Sequence, residues 1–218
     1  MRTSHKEMRR KINAEVSKIT DEELFSSAAF AAYLTDIAEA VTKRYKRRLR
    51  VETIYDTSEN AMIACTNNRN ILINTGNYIS QSMPYRKLKA ESILGLVGHE
   101  VGHMLFTNFR ISETYFSELS YGRLYPQMEL SEEEQESFTE VTDYFKAGTE
   151  AQKQAILKAA KLLLNILEDA YIEARICDRY TGRFATGIHL NNIRFTEMMP
   201  SVTEQLTNGC YRFSVFCN

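Results

Sequence analysis

The sequence predicts an α+β fold in which a small antiparallel sheet packs on a mainly helical core. Three short β-rich runs lie close together between residues 51 and 75 and are separated by turn-forming segments. Long segments before and after them carry apolar residues at helical spacing. The chain has 218 residues and is 44% hydrophobic, which is enough for one domain with a sizeable core.

The first fifty residues are predicted to be helical, and they are basic. Residues 1–19 are typical of a short basic helix or a loosely held arm. Thr20 and Glu23 match a capping box, which predicts a helix over about 21–45. The first fifty residues hold 12 Lys and Arg against 7 Asp and Glu, a net charge of +5. The basic run 43–50 favours a solvated helix end over a nucleic-acid contact, so no nucleic-acid partner is predicted.

The β-rich runs VETIY, AMIACT and NILINT predict three strands of an antiparallel meander, joined by turns at DTSEN and NNRN. An edge strand next to a metal can pair with an extended peptide and present the peptide carbonyl to the metal. The sequence does not show which strand forms the edge.

A helix predicted from about Pro84 to Thr107 contains the five residues HEVGH. His99 and His103 are four residues apart, so on a helix both imidazoles project from one face and can bind one tetrahedral Zn²⁺. Glu100 lies at the edge of that face, where it can act as a general base without being a ligand. The pattern therefore predicts one zinc ion per chain.

The same helix carries Gly95, Gly98 and Gly102 on one stripe beside the histidine face. Each glycine costs about 0.8–1 kcal/mol relative to alanine inside a helix. The tolerated cost predicts close approach by another backbone, either a second helix carrying the missing ligand or an extended substrate.

Residues 108–129 are rich in aromatic and turn-forming residues. They are predicted to form a surface loop pinned by aromatic side chains; a lid, or a tyrosine such as Tyr121 aimed at the transition state, is the alternative. Ser131, followed by acidic residues, predicts the start of a helix that runs to about Phe145.

A longer helix is predicted over about 150–180, and its apolar centre contains several acidic residues. Buried carboxylates need a partner, either an arginine or a metal ion. A catalytic zinc needs three protein ligands and one open position. Glu168 is the first choice for the third ligand, with Asp169 orienting a histidine, and the two could exchange roles.

Other residues are candidates for supporting roles around the predicted zinc. Glu173 and Asn165 on the long helix are alternative ligands or outer-shell partners of the ligands. His189, in the segment TGIHLNN, is predicted to lie in a loop as a rival ligand or an oxyanion stabiliser, and Tyr121 is a second candidate stabiliser.

In these two segments, the chain resembles the gluzincin type of zinc metallopeptidase. More narrowly, HEVGHMLFT followed by NILEDAYIE is similar to the peptidase-like domain of bacterial and phage proteins that carry von Willebrand A modules and are related to cobalt-chelatase subunits. Tyr171 stands where that family's second motif has arginine. The resemblance covers about residues 51–179 and implies a zincin-like fold, peptide or protein substrates, and an ATPase or von Willebrand A partner.

The predicted function is a zinc-dependent metallopeptidase in which Glu100 is the general base; a non-catalytic metal-binding interaction domain, working with an ATPase or a von Willebrand A module, is the alternative. The predicted organisation is one domain over 1–218 with its catalytic core at 51–180. The chain lacks a secretory signal pattern and a long apolar run, which predicts a cytoplasmic protein without a membrane contact. The apolar tail CYRFSVFCN predicts that the natural chain continues past Asn218, or that the tail packs as a last strand or helix.

Overall fold

The computed structural model describes residues 4–45 and 48–208, and it shows an α+β fold with ten helices and three strands in those ranges. The elements before the long central helices are α1 (His5–Val16), α2 (Asp21–Phe25), α3 (Ala28–Thr42), β1 (Arg50–Ile54), β2 (Ala64–Thr66), β3 (Asn70–Asn74) and α4 (Tyr78–Gln81). The remaining elements are α5 (Arg86–Phe106), α6 (Phe109–Ser120), α7 (Glu132–Ala147), α8 (Glu150–Arg179), α9 (Arg183–Met198) and α10 (Val202–Thr207). The apolar tail, residues 210–218, lies outside the described residues. None of the described helices is long and apolar enough to cross a membrane.

The chain divides into two compact units. The first unit holds the residues up to Leu105 and those from Glu173 onwards, and the second unit holds Phe106–Ile172. Helix α8 is a single uninterrupted helix that passes through the boundary at Ile172.

The three strands form a mixed sheet in the order β1-β3-β2, so the predicted antiparallel meander is wrong. β1 pairs with β3 in parallel, whereas β2 pairs with β3 antiparallel. β3 is the central strand, and its side chains Ile71 and Ile73 are fully buried. The most apolar strand therefore takes the position with two neighbours, and β2 and β1 form the edges.

The buried side chain of Asn74, at the end of β3, explains why β2 lies on the far side of β3 from β1. Its Nδ2 donates to the carbonyls of Asp56 (2.8 Å) and Met62 (3.0 Å), and its Oδ1 accepts from the backbone N–H of Asp56 (2.9 Å). Asn74 thus binds both ends of the connection between β1 and β2 where it crosses the end of β3. A buried amide with these partners is satisfied and fixes the crossing.

The helix predicted over residues 21–45 is two helices, α2 and α3, because two serines interrupt it. The predicted capping box of Thr20 and Glu23 is present at the start of α2. Ser26 ends α2, and Ser27 caps α3 by accepting from the backbone N–H of Phe30 at 3.1 Å. Serine competes with helical hydrogen bonding and favours caps, which makes this break physically reasonable.

Helix α1 forms as predicted for the basic N-terminal segment, but none of its residues is buried. Arg86 contacts the segment that follows it, donating to the carbonyls of Val16 (2.9 Å) and Ile19 (2.6 Å) and to the Asp21 carboxylate (2.6 Å). Burial by itself would raise the pKa of Asp21, but hydrogen bonds and charges from Lys89 and Arg86 outweigh burial and lower it. Asp21 is therefore ionised at neutral pH and anchors α2 to the start of α5.

Helices α5 and α9 cross in close contact at Gly95 of α5 and Gly187 of α9. This contact confirms the close backbone approach predicted from the glycine stripe. A Cβ on Gly95 would collide with the backbone of Gly187, and a Cβ on Gly98 would meet the ring of Phe184. The partner is helix α9, which does not carry the third residue of the metal-competent group, Asp169 of α8, so only the prediction of a neighbouring helix is confirmed. The crossing fixes α9 against the helix that carries HEVGH.

Alanine at Gly95 is expected to destabilise the protein by about 1–3 kcal/mol, the usual cost of overpacking. The gain in helix propensity, about 1 kcal/mol, offsets part of that cost. Alanine at Gly98 is expected to cost less, because its Cβ would overlap less with Cγ and Cβ of the buried Phe184 than a Cβ on Gly95 would with the backbone of Gly187. Urea unfolding followed by circular dichroism measures both variants; equal stability of G95A and wild type would contradict the close crossing.

The second unit contains α6, α7 and the first part of α8, and the surface loop predicted over residues 108–129 is wrong for its first half. Asn108 caps α6 by accepting from the N–H of Ile111 at 3.2 Å, and the helix buries Leu119. Gly122 then adopts a positive φ of 68° and packs against Phe145 of α7. The predicted N-cap at Ser131 is confirmed.

Candidate metal centre

The HEVGH residues lie in the C-terminal part of α5, as the sequence predicts. The rings of His99 and His103 lie side by side, with 4.9 Å between their centroids and 77° between their planes. Each is half-buried, whereas Glu100 is buried, with 5% of its surface exposed. Helical geometry alone places both imidazoles on one face, because residues four apart are separated by about one turn.

Glu173, on the last turns of α8, contacts the first histidine. Its Oε1 lies 2.9 Å from His99 Nδ1, and both side chains are about three-quarters buried. This contact stabilises the tautomer with the proton on Nδ1, so the lone pair of the ring is on Nε2. A carboxylate bound to the other ring nitrogen is the usual partner of a metal-binding histidine.

One group of three side chains among residues 4–45 and 48–208 could hold a metal ion: His99, His103 and Asp169. One ligand atom from each lies within 4.8 Å of the others, and all three side chains are half-buried. Asp169 is on α8, one turn before Glu173, so both carboxylates project from the same helix face. Two imidazoles and one carboxylate match the donors that Zn²⁺ prefers.

The other acidic and amide candidates on α8 lie elsewhere on the helix. Glu168, the first choice for the third ligand, is half-buried and precedes Asp169 by one residue, which is about 100° around the helix axis. Asn165 is exposed. Asp169 rather than Glu168 therefore belongs to the metal-competent group, and Glu173, predicted as an alternative ligand or outer-shell residue, contacts a histidine.

A cavity of about 220 Å³ adjoins the histidine face. Its polar wall includes His99, Glu100 and Glu173, and its other walls are mainly apolar. The apolar side chains that line it are Ile63, Ala64, Ile79, Leu96, Ile188 and Phe195. The cavity is large enough for one apolar side chain next to the carboxylate of Glu100.

Strand β2 reaches this cavity and, among residues 4–45 and 48–208, is an outer strand of the sheet. The N–H of Asn74 donates to the carbonyl of Ile63 (2.9 Å), and the N–H of Asn67 donates to the carbonyl of Asn70 (3.2 Å). Along β2, residues therefore alternate between directing their backbone N–H and C=O groups at β3 and directing them away from it. Ala64 and Thr66 accordingly point their backbone N–H and C=O groups away from β3. The structure thus identifies β2 as a strand edge beside the histidines, which the sequence left undecided.

Cys65, on β2, has a thiol whose pKa is raised, first by burial and then by the negative charge of Glu100. The thiol is therefore protonated at neutral pH. A protonated thiol is a poor nucleophile, and Cys65 is not among the three side chains grouped for a metal.

Two asparagines of α9 belong to this region and were missed at the level of sequence. Asn191 is buried and exchanges hydrogen bonds with Ser92 of α5, accepting from its hydroxyl (2.6 Å) and donating to its carbonyl (3.0 Å). Asn192 donates to Glu173 Oε2 at 2.8 Å. Both line the cavity together with Ile188 and Phe195, a helical spacing that would have indicated one functional face.

The two candidate oxyanion stabilisers have different surroundings from those predicted. His189 lies in helix α9 rather than in a loop, and it is exposed, whereas its neighbours Ile188 and Asn191 line the cavity. Tyr121 ends α6 with 71% of its surface exposed, and the guanidinium of Arg123 lies 5.1 Å from its ring centre. The exposure of both rings gives no support to a role in binding an oxyanion.

The chain matches no protein-family model, no curated protein and no solved structure in the three comparisons made with known proteins.

Proposed function

We propose that this protein is a zinc-dependent metallopeptidase. The observation that carries the proposal is the HEVGH face of α5: paired imidazoles, one of them oriented by Glu173, beside a buried glutamate. A structural zinc site needs no buried carboxylate next to the ligands, whereas hydrolysis needs a general base there.

The donor set fits a catalytic rather than a structural zinc. His99, His103 and Asp169 would supply three ligand atoms, the number of protein ligands that a catalytic zinc has. A zinc ion held by these residues would lower the pKa of a bound water towards neutral pH and would polarise the scissile carbonyl. Glu173 supports the site because it fixes the ring of His99 and increases the basicity of its Nε2.

Glu100 is the catalytic residue of the proposed reaction. Its carboxylate lines the cavity next to His99, within reach of an attacking water, and it accepts the proton of that water. Glu100 then donates the proton to the leaving amine, so that it is ionised again at the end of the cycle. Its burial excludes bulk solvent, which strengthens its interaction with the reacting groups.

The open edge of β2 supports a peptide as the substrate. An extended peptide can pair with the outward-directed backbone groups of Ala64 and Thr66 and extend the sheet by one strand. Since Ile63 and Ala64 also line the cavity, the paired peptide passes His99 and Glu100. The apolar cavity then accepts an apolar side chain next to the scissile bond.

The metal content of purified protein tests the proposal directly. We expect about one zinc per chain for wild type, as measured by plasma mass spectrometry, and less than a tenth of that for His103→Ala, since two ligands remain. His5→Ala is the matched control, because His5 is exposed on α1. Wild-type protein that binds no zinc, or H103A that retains the full amount, would contradict the proposed site.

A further inference from the structure

Glu173 contacts two different helices, α5 and α9, and each of its carboxylate oxygens accepts a hydrogen bond from one of them. Its Oε1 binds Nδ1 of His99 on α5 at 2.9 Å, and its Oε2 accepts from Nδ2 of Asn192 on α9 at 2.8 Å. The result is a linear chain of contacts in which an amide holds a carboxylate and the carboxylate holds an imidazole.

Helix α9 holds Asn192 in a fixed place. Asn191, the preceding residue, is buried and bound twice to Ser92 of α5. Ser92 also shares a hydrogen bond with Ser80, so this attachment continues into α4. One turn earlier on α9, Gly187 lies against Gly95. α9 is therefore locked to α5 in register, and the Asn192 amide is presented at a defined position relative to His99.

We propose that Asn192 is a positioning residue for His99 and acts through Glu173. A carboxylate held by one oxygen can rotate about its terminal torsion, because such sp³–sp² torsions are broad. The second bond, from Asn192, restricts that rotation and directs Oε1 at Nδ1 of His99. The imidazole is then held as the Nδ1–H tautomer, with its Nε2 lone pair directed away from Glu173. The consequence for metal affinity rests on the proposed zinc site, whereas the tautomer does not.

The tautomer of His99 in metal-free protein is the first test. The ¹⁵N chemical shifts of the ring distinguish the two neutral tautomers from each other and from the imidazolium. We expect Nδ1–H in wild type and a mixture in Asn192→Ala. Asn192→Asp is expected to move the tautomer equilibrium of His99 at least as far, because this substitution replaces the amide donor with a second carboxylate that faces Glu173. Ile193→Ala is the control, since that side chain is 60% exposed on the same helix.

Zinc affinity, measured by competition with a chromophoric chelator, is the second test. Direct outer-shell partners of metal ligands change affinity by roughly 10–100-fold. Because Asn192 acts one contact further out, we expect N192A to weaken zinc binding by about 3–10-fold. The higher helix propensity of alanine offsets part of the cost of losing the hydrogen bond to Glu173. Circular dichroism of N192A at the assay temperature is expected to match that of wild type, so a loss of fold would not explain the change in affinity.

The two tests separate this inference from the proposed function. If His99 has the same tautomer in wild type, N192A and N192D, the positioning role is overturned, whether or not zinc binds. If the tautomer changes in N192A but wild type binds no zinc, the positioning role stands and the zinc-peptidase proposal fails. If the tautomer changes and zinc affinity falls in N192A but not in Ile193→Ala, the positioning role and the proposed zinc site both stand.

Discussion

Replacing Glu100 with glutamine is expected to lower peptide hydrolysis by about 10²–10⁴-fold, the usual contribution of a general base. Glutamine has the same shape but cannot accept a proton from water at neutral pH. The zinc content of Glu100→Gln is expected to equal that of wild type, because Glu100 is not among the three side chains grouped for a metal. Initial rates on a library of quenched fluorogenic peptides, with zinc measured on the same samples, give both quantities.

Glu22→Gln is the matched control for this variant, since Glu22 is exposed on α2 and the substitution is the same. We expect its turnover to equal that of wild type. Full peptidase activity of Glu100→Gln would contradict the proposed role of Glu100 as the general base. A wild-type protein that binds zinc but cleaves no peptide in the library would instead favour the metal-binding interaction domain.

The second large effect is expected at the third ligand. Asp169→Asn should weaken zinc binding by more than the roughly 10–100-fold that outer-shell partners contribute, because an amide oxygen replaces a charged ligand. Glu168→Gln, the matched substitution at the neighbouring residue, should change affinity by less than about threefold, a smaller effect than outer-shell partners have. Chelator competition measures both constants on the same scale.

The opposite result, a large loss in Glu168→Gln and none in Asp169→Asn, would assign the third ligand to Glu168. Circular dichroism of both variants shows whether α8 remains folded, which both changes should allow because each keeps the size of the side chain. Equal losses in the two variants would contradict a single carboxylate ligand.

The residues that the sequence placed correctly are those whose geometry is local. His99 and His103 share a face because a helix repeats every 3.6 residues, and the bounds of α5 and α8 follow from the same periodicity. The capping box at Thr20 and the N-cap at Ser131 are local as well, since each involves residues only three apart. The glycine stripe predicted a close helix neighbour, because a tolerated local cost implies compensation by a tertiary contact.

The errors share a different cause. The meander was expected because neighbouring strands in sequence often pair, yet Asn74 binds both ends of the connection between β1 and β2 and so allows β3 to enter the centre. The loop expected after α5 is partly a helix, because Asn108 caps α6 and Leu119 is buried. Both outcomes depend on which side chains become buried, which periodicity does not encode.

The sequence by itself determined the motif: two imidazoles and a carboxylate on one helix, with acidic residues on a second helix. The tertiary structure alone decided which carboxylate contacts His99 and which one belongs to the group that could hold a metal ion. Glu173 meets His99 across 74 positions of sequence, and Asn192 meets Glu173 from a third helix. Helical spacing fixes directions within one element, whereas the partners of a ligand depend on how helices cross, and here two glycines, Gly95 and Gly187, bring α9 against α5.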